Sequence, residues 1–211
     1  RWVMAQELDD LLDSLEDADD ATREEAAKAL AELANPATLD ALIGACGDEF
    51  WSVRTRAGWG VAKIGGPKAI EALIVLFNDP IMEVRNEAVA AVVSLGAGQL
   101  DRLLAAMKDE RWRVREHAAK ACGDLHDSRA VDALTFACRD RDGAVKSAAA
   151  EALGKIGDPK AIPALVKLFR DSSKIVRETA GIALVAIGQP SVDLLLETLK
   201  DKDFVVRCHA A

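Results

Sequence analysis

An all-α solenoid is the fold class this sequence predicts, and three observations predict it. A Val-Arg step or a close equivalent recurs at Thr22-Arg23, Val53-Arg54, Val84-Arg85, Val114-Arg115, Val145-Lys146, Val176-Arg177 and Val206-Arg207, at intervals of 31, 31, 30, 31, 31 and 30 residues. An apolar stripe spaced i, i+3, i+4, i+7 runs ahead of each basic residue, and a second stripe anchored on Ala follows it. No stretch alternates with period two between turn signals, so strands are not expected. A constant period of roughly 20–50 residues marks a unit that buries its apolar face only by stacking on its neighbours. The reading is one solenoid over residues 1–211, with second helices starting near 22, 53, 84, 114, 145, 176 and 206.

Positions are counted from the basic residue of each unit. The first helix places apolar residues at −15, −12, −11 and −8: Leu8, Leu11, Leu12 and Leu15, then Leu39, Leu42, Ile43 and Cys46, then Ile70, Leu73, Ile74 and Phe77. The series continues with Leu100, Leu103, Leu104 and Met107, Val131, Leu134, Thr135 and Cys138, Ile162, Leu165, Val166 and Phe169, and Val192, Leu195, Leu196 and Leu199. Thr135 is the one polar residue in the set. This is a single stripe of an amphipathic helix. The second helix carries Ala at +3 in every unit (Ala26, Ala57, Ala88, Ala118, Ala149, Ala180 and Ala210) and apolar residues at +7 and +10, such as Leu30 and Leu33 or Leu153 and Ile156. Ala favours the helix and lets neighbouring helices approach.

The connections have their own chemistry. Gly65, Gly96, Gly157 and Gly188 at +11 are expected to end a helix with positive φ, with His126 standing in at the same slot. Pro36, Pro67, Pro159 and Pro190 at +13 suit the first turn of the next helix, where no N–H is needed. Asp19, Asp142, Ser173 and Asp203 at −4 are expected N-caps. Asp occupies −6 in all seven units, from Asp17 to Asp201. With the basic residue it should form an Asp–Arg ladder joining neighbouring units, each Arg fork satisfying carboxylates of its own and the adjacent repeat.

Composition closes off several function classes. Half the residues are hydrophobic, and 27 basic against 35 acidic residues give a net charge of −8. No apolar run approaches the 18 or so residues of a membrane span, so no membrane partner is expected. Arg1-Trp2-Val3-Met4 lacks the apolar core and cleavage site of a secretory leader. Cys46, Cys122 and Cys138 fall in apolar slots, and with Cys208 they form no C-x-x-C pair, so neither a disulfide framework nor a zinc site is expected. A reducing, cytoplasmic location follows as the expectation.

The stretch Val145 through Leu168, VKSAAAEALGKIGDPKAIPALVKL, resembles the HEAT repeat in its short PBS-lyase HEAT-like form, and the resemblance covers essentially the whole chain. It implies that first helices line a convex side and second helices a concave one. It is far less specific for function, because such repeats serve scaffolds, bilin-attachment proteins, metal-dependent hydroxylases and DNA-repair proteins. Deoxyhypusine hydroxylase, similar in repeat type, holds iron through His-Glu pairs. Here His117, His126 and His209 precede Ala118, Asp127 and Ala210, so no metal site is expected. No nucleophile elbow, phosphate loop or dinucleotide fingerprint is present. The chain reads as non-catalytic, with no cofactor.

The expected function is a scaffold that binds a protein or peptide in its concave groove. The alternative implied by the resemblance is a subunit of an E/F-type bilin lyase-like enzyme. Across the expected concave positions of the first six units, eight acids stand against five bases. That balance opposes nucleic acid, which needs a basic wall. Trp59 at +5 should point into the groove beside Arg56 and Lys63, with Glu87 one unit on, and His117 and Lys120 further along. Those six residues form the expected partner site. Gly58 and Gly60 inside the same helix suggest close approach, either by a partner or by neighbouring helices. Trp51, Trp112 and Phe204 at −3 are expected to pack against adjacent units. At the C-terminal end Val192, Leu195, Leu196 and Leu199, with Leu184 and Ile187, should be open, which points to self-association there or to continuation of the array.

Overall fold

In a computed structural model, the backbone is described for residues 2–211 and the side chains for residues 7–211. Arg1 and the side chains of residues 2–6 lie outside the described residues, and the reading of the N-terminal tetrapeptide lies there with them. Fourteen α-helices and no strand occur among the described residues. They fall into two compact units, residues 1–99 and 100–211. The first holds three helix pairs: α1 (Trp2–Ser14) with α2 (Asp20–Leu33), α3 (Leu39–Ala45) with α4 (Trp51–Ile64), and α5 (Pro67–Leu76) with α6 (Met82–Ser94). The second holds four: α7 (Leu100–Ala106) with α8 (Trp112–Asp124), α9 (Val131–Ala137) with α10 (Gly143–Ile156), α11 (Ile162–Lys167) with α12 (Lys174–Ile187), and α13 (Val192–Thr198) with α14 (Phe204–Ala210).

Each unit buries the stripes that the repeat predicts. At −12, Leu42, Leu73, Leu103, Leu134 and Leu165 are fully buried, and at +7 so are Leu30, Val61, Val92, Cys122 and Leu153. Position −11 is only half-buried, from Leu12 to Val166, which is why Thr135 is accommodated there. Leu33 is a departure: it is 52% exposed because the first repeat has no preceding described helix pair to cover it.

Second helices meet through small residues. The +8 residue of one repeat faces the +6 residue of the next. A Cβ added at Gly123 would lie 2.6 Å from Ala152 Cα, and one at Gly154 would lie 2.8 Å from Ala183 Cα. In the first unit the pair is Ala31 and Gly60, with 3.0 Å left between Ala31 Cβ and a Cβ built on Gly60. Gly58 faces Leu76 Cδ1 at 3.2 Å in the same sense. The glycines of α4 therefore answer to α2, α3 and α5, which settles the two readings of Gly58 and Gly60 in favour of neighbouring helices.

Helix ends follow the repeat closely. All six residues at +11 have positive φ: Gly65, Gly96, Gly157 and Gly188 at 75–79°, His126 at 51° and Ala34 at 46°. His126 is further held by Nδ1, which lies 2.9 Å from the Lys155 carbonyl. Asp19, Asp142 and Asp203 cap α2, α10 and α14 through their side chains. Ser173 makes no such bond, so its predicted capping role is corrected: the backbone enters α12 from an extended residue without a side-chain acceptor.

The Asp at −6 closes the loop between the paired helices and ties repeats together. In all seven repeats its carboxylate accepts the N–H of residue −4 at 2.8–2.9 Å. Each Arg at position 0 donates Nη1 to the carbonyls of −6 and −5 in its own loop, as Arg54 does to Asp48 and Glu49 at 2.8 and 2.9 Å. Its remaining edge grips the Asp of the next repeat: Arg23 on Asp48, Arg54 on Asp79 and Arg115 on Asp140 are all two-bond forks. Lys146 reaches Asp171 but makes neither loop bond. Arg85 and Asp109 belong to different units. Within its own unit Asp109 is held by Arg111, which pulls its carboxyl down to about 2. The last rung is rewired, because Arg177 donates Nε to His209 and Asp201 is taken by Arg170.

The C-terminal repeat departs from the expectation in part. Leu196 and Leu199 are exposed and Val192 and Leu195 are half-buried, as expected, but Leu184 and Ile187 are buried. Helix α14 and the turn at residues 189–191 pack on α12, while Ile182 at +5, the slot of Trp59, and Val185 at +8 remain 71% and 78% exposed.

Candidate functional site

The predicted site residues lie on second helices, and the structure divides them between the two units. In the first unit α4 lies between α2 and α6. Trp59, half-buried on α4, donates its indole N–H to Glu87 Oε2 on α6 at 2.8 Å. Arg56, one helical turn back, reaches Glu24 on α2 at 3.3 Å. Lys63 stands exposed one turn on. Arg56, Trp59 and Glu87 are thus brought into one cross-helix row, with Glu24 as a fourth member. In the sequence Glu24, at +1, is one of the eight acids at expected concave positions and nothing there sets it apart. What identifies it is register: position +1 of one repeat lies beside +2 of the next.

In the second unit Lys120 is half-buried and pairs with Glu116 one turn back at 2.7 Å. His117 does not join the site. It is 1% exposed, with Nδ1 lying 2.8 Å from the Arg113 carbonyl and 3.6 Å from Glu116 Oε2. Its assignment to the partner face is corrected. Position +2 lies on the seam between adjacent second helices. Long charged chains such as Glu25, Arg56 and Glu87 extend from the seam into water, whereas the shorter His117 and Ala148 stay within it.

Glu116 and Lys120 form one wall of a cleft of about 490 Å³ across α8, α10 and α12. Its floor is the small-residue face Gly143, Ala144 and Ser147 of α10, and the far wall is Ile175 and Thr179 of α12. Ser147 and Thr179 were within reach of the register, at +1 and +2. Ile175, at −2, precedes the basic residue and lies outside the second-helix positions expected to be concave. At one end Lys155 bridges Asp124 and Glu151, each at 2.8 Å; burial works against its charge, but these two carboxylates outweigh it and raise its pKa.

Three of the four cysteines and His209 are taken up by the packing of the repeats, while Cys208 is exposed. Cys46, Cys122 and Cys138 are buried, and burial pushes each thiol up to about 12, away from nucleophilic use. His209 accepts Arg177 and lies against Phe169, with ring centroids 5.7 Å apart. Among the described residues no three His, Cys, Asp or Glu side chains converge as metal ligands. No single helix among them is long and apolar enough to cross a membrane.

Trp51, Trp112 and Phe204 do not pack into adjacent units as expected. They are 49%, 37% and 69% exposed, because position −3 opens a helix at the rim of its repeat rather than on a buried seam. Trp112 stacks under Arg113, with the guanidinium carbon 4.7 Å from the ring centre.

Comparison with known proteins matches this architecture. A family model for HEAT repeats matches residues 8–93 and again residues 100–185, one stretch in each unit. A search of curated proteins finds no significant match. Among solved structures, the complex of CpcE and CpcF of phycocyanin lyase from Nostoc sp. PCC7120 is similar at 25% identity and a TM-score of 0.57, over 68% of this chain and 96% of that one. Yeast importin-beta (Kap95p) aligns at 15% identity and a TM-score of 0.65 over 98% of this chain and 35% of its own, a likeness of fold alone. The two family matches, the seven helix pairs and the Asp–Arg rungs lead to one conclusion: the chain belongs to the HEAT-repeat family, built from short units of the PBS-lyase HEAT-like kind.

Proposed function

We propose that this chain is a non-catalytic, cytoplasmic interaction scaffold that holds a protein or peptide segment on the exposed face of its second helices. The observation that carries the reading is Trp59. Its ring is half open to solvent, yet its N–H is fixed by Glu87 of the next repeat at 2.8 Å. An aromatic side chain held in one orientation before binding loses little entropy when a partner covers it. Arg56 and Lys63 on the same helix supply polar contacts around it. The likeness to CpcE and CpcF supports a protein partner, because that structure is itself a complex of two proteins.

The test is affinity capture from lysate of the source cells with the native chain and with Trp59→Ala, followed by titration of any protein retained. The expected result is a protein whose affinity falls by about 2 kcal/mol or more in the variant. Equal retention by both chains removes Trp59 from the site.

A second reading, a subunit of a bilin lyase-like enzyme, is favoured by the same similarity to phycocyanin lyase. Addition of a linear tetrapyrrole, with visible absorbance as readout, separates the two: a shifted and intensified band supports the lyase reading, and an unchanged spectrum the scaffold. Self-association through Leu196, Leu199, Ile182 and Val185 belongs to the scaffold reading as a further expectation. Sedimentation over a concentration series checks it, a strict monomer at all concentrations being the contrary result.

A further inference from the structure

We infer that the first unit carries a second interaction surface, at the rim where α4 and α6 begin, that takes a basic amphipathic helix of a partner protein. It is separate from the Trp59 row, which lies further along the same helices. The rim residues are Phe50 and Trp51 in one repeat and Ile81 and Met82 at the equivalent positions of the next, 42%, 49%, 36% and 57% exposed.

The other repeats act as an internal control. The slot before the second helix holds Asp19, Asp142 and Asp203 in three of them, and each caps its helix. Phe50 and Ile81 occupy that slot with the same extended backbone and no side-chain cap bond. Two consecutive repeats thus replace a capping acid by an exposed apolar residue and follow it with another. Phe50 has a partial structural use, lying over the Arg23 guanidinium at 5.8 Å. The −3 slot is apolar and exposed in Trp112 and Phe204 as well, but only the repeats of α4 and α6 pair it with an exposed apolar residue at −4.

Charge selects the occupant. Arg23 and Arg54 are buried and spent on loop carbonyls and on Asp48 and Asp79, and Arg85 donates to the Asp79 and Pro80 carbonyls. Arg85 keeps its charge but is half-buried, and the most exposed charges at the rim are acidic: Glu49, whose side chain is 79% exposed although Arg23 lies 3.5 Å away, and Glu83 in the first turn of α6. A second copy of a chain with net charge −8 would bring acids against acids. An anionic lipid surface meets the same repulsion. A segment with Lys or Arg flanking its apolar side chains matches both features.

Spacing selects its form. Packed helices such as α4 and α6 lie about 8–10 Å apart, so the two apolar pairs are separated by about that distance. Residues i and i+7 of an α-helix are about 10.5 Å apart on one face. An amphipathic helix laid across the two helix starts would seat one anchor in each repeat.

The experiment uses the whole chain and a fluorescent synthetic peptide of Leu and Lys with Leu on one helical face. Controls are a peptide of the same composition with the helical period scrambled and one with Glu in place of Lys. The periodic Lys peptide should bind, more weakly as salt rises, with amide shifts in the native chain centred on residues 49–52 and 80–84. Trp51→Ser with Met82→Ser should weaken it about tenfold or more, Glu49→Gln with Glu83→Gln should flatten the salt dependence, and Trp59→Ala should leave it unchanged. Four results would overturn the proposal: equal binding by the Trp51/Met82 variant, equal binding of either control peptide, a salt-stable dimer that this variant abolishes, or binding of phosphatidylglycerol vesicles through these residues instead. Failure of the Trp59 site leaves this surface untouched, and the reverse also holds.

Discussion

Ala34 shows how a repeat tolerates a residue that local chemistry disfavours. It ends α2 at φ 46°, where four of its counterparts are Gly and the fifth is His126. A Cβ in that region is crowded by backbone, and an unfolded-state entropy cost for Gly offsets part of the relief. Ala34→Gly should stabilise the chain by about 0.5–1 kcal/mol, read from the urea midpoint. His126→Gly should gain less, because it also gives up the 2.9 Å contact to Lys155. The rungs offer a second substitution. Lys146 holds Asp171 but leaves the carbonyls of Asp140 and Arg141 without the bonds every Arg makes at that slot. Lys146→Arg should restore them and raise stability by about 1 kcal/mol in the same measurement. At this scale the repeat made much of the structure legible: a residue can be compared with the same slot in the other repeats. His117 departs from its slot: Glu25, Arg56 and Glu87 at +2 leave the seam through long side chains, whereas the shorter His stays within it.

At the scale of the element, the closeness of second helices depends on having at most one methyl at the crossing point in three of the described pairs. Gly123→Ala would put a Cβ 2.6 Å from Ala152 Cα, against backbone that cannot turn away. It should destabilise by about 1–3 kcal/mol. Gly181, on α12, has its nearest neighbour for an added Cβ at 4.0 Å on the Phe169 ring. Gly181→Ala should therefore stabilise by about 0.5–1 kcal/mol through helix propensity alone. Thermal unfolding of the two variants checks the pair, and the opposite signs are the content of the prediction. In the sequence both residues look alike, each a Gly inside a helical pattern. Only the position of the neighbouring backbone separates them.

Across the molecule, the rungs make stability depend on carboxylates that are charged and held. Burial pushes the Asp48, Asp140 and Asp171 carboxyls up, but the bonds from Arg23, Arg115 and Lys146 and from the loop N–H groups outweigh it, and each ends below its usual value. The Arg111 fork and N–H hold Asp109 lower still, at about 2. A carboxyl whose pKa falls on folding stabilises the fold fully above its unfolded value of about 4, and that contribution is lost as pH drops through the folded value. Stability should be level from about pH 7 to 5 and decline steeply between about pH 4 and 2. Urea midpoints across that range, followed by helical circular dichroism, are the check; a midpoint that stays constant down to pH 2 would show that the rungs contribute nothing. Since the rungs repeat in both units, the decline belongs to the whole chain rather than to one site.

The sequence by itself determined the repeat, the two helices of each unit, the positive φ at the helix ends and the identity of the buried slots. These are local and periodic: a residue's spacing and its intrinsic backbone preference suffice, and seven copies average out the exceptions. The tertiary structure alone decided which polar positions face water. Whether +2 is open depends on side-chain length at a seam between two helices, and whether −3 is covered depends on where the next repeat's loop lies. Trp51, Trp112 and Phe204 read as packing residues because aromatics recur there, yet they stand at the rim. Exposure is a property of what surrounds a residue, and these surroundings come from a neighbouring repeat about thirty residues away, set by helix crossings that the Gly–Ala contacts fix.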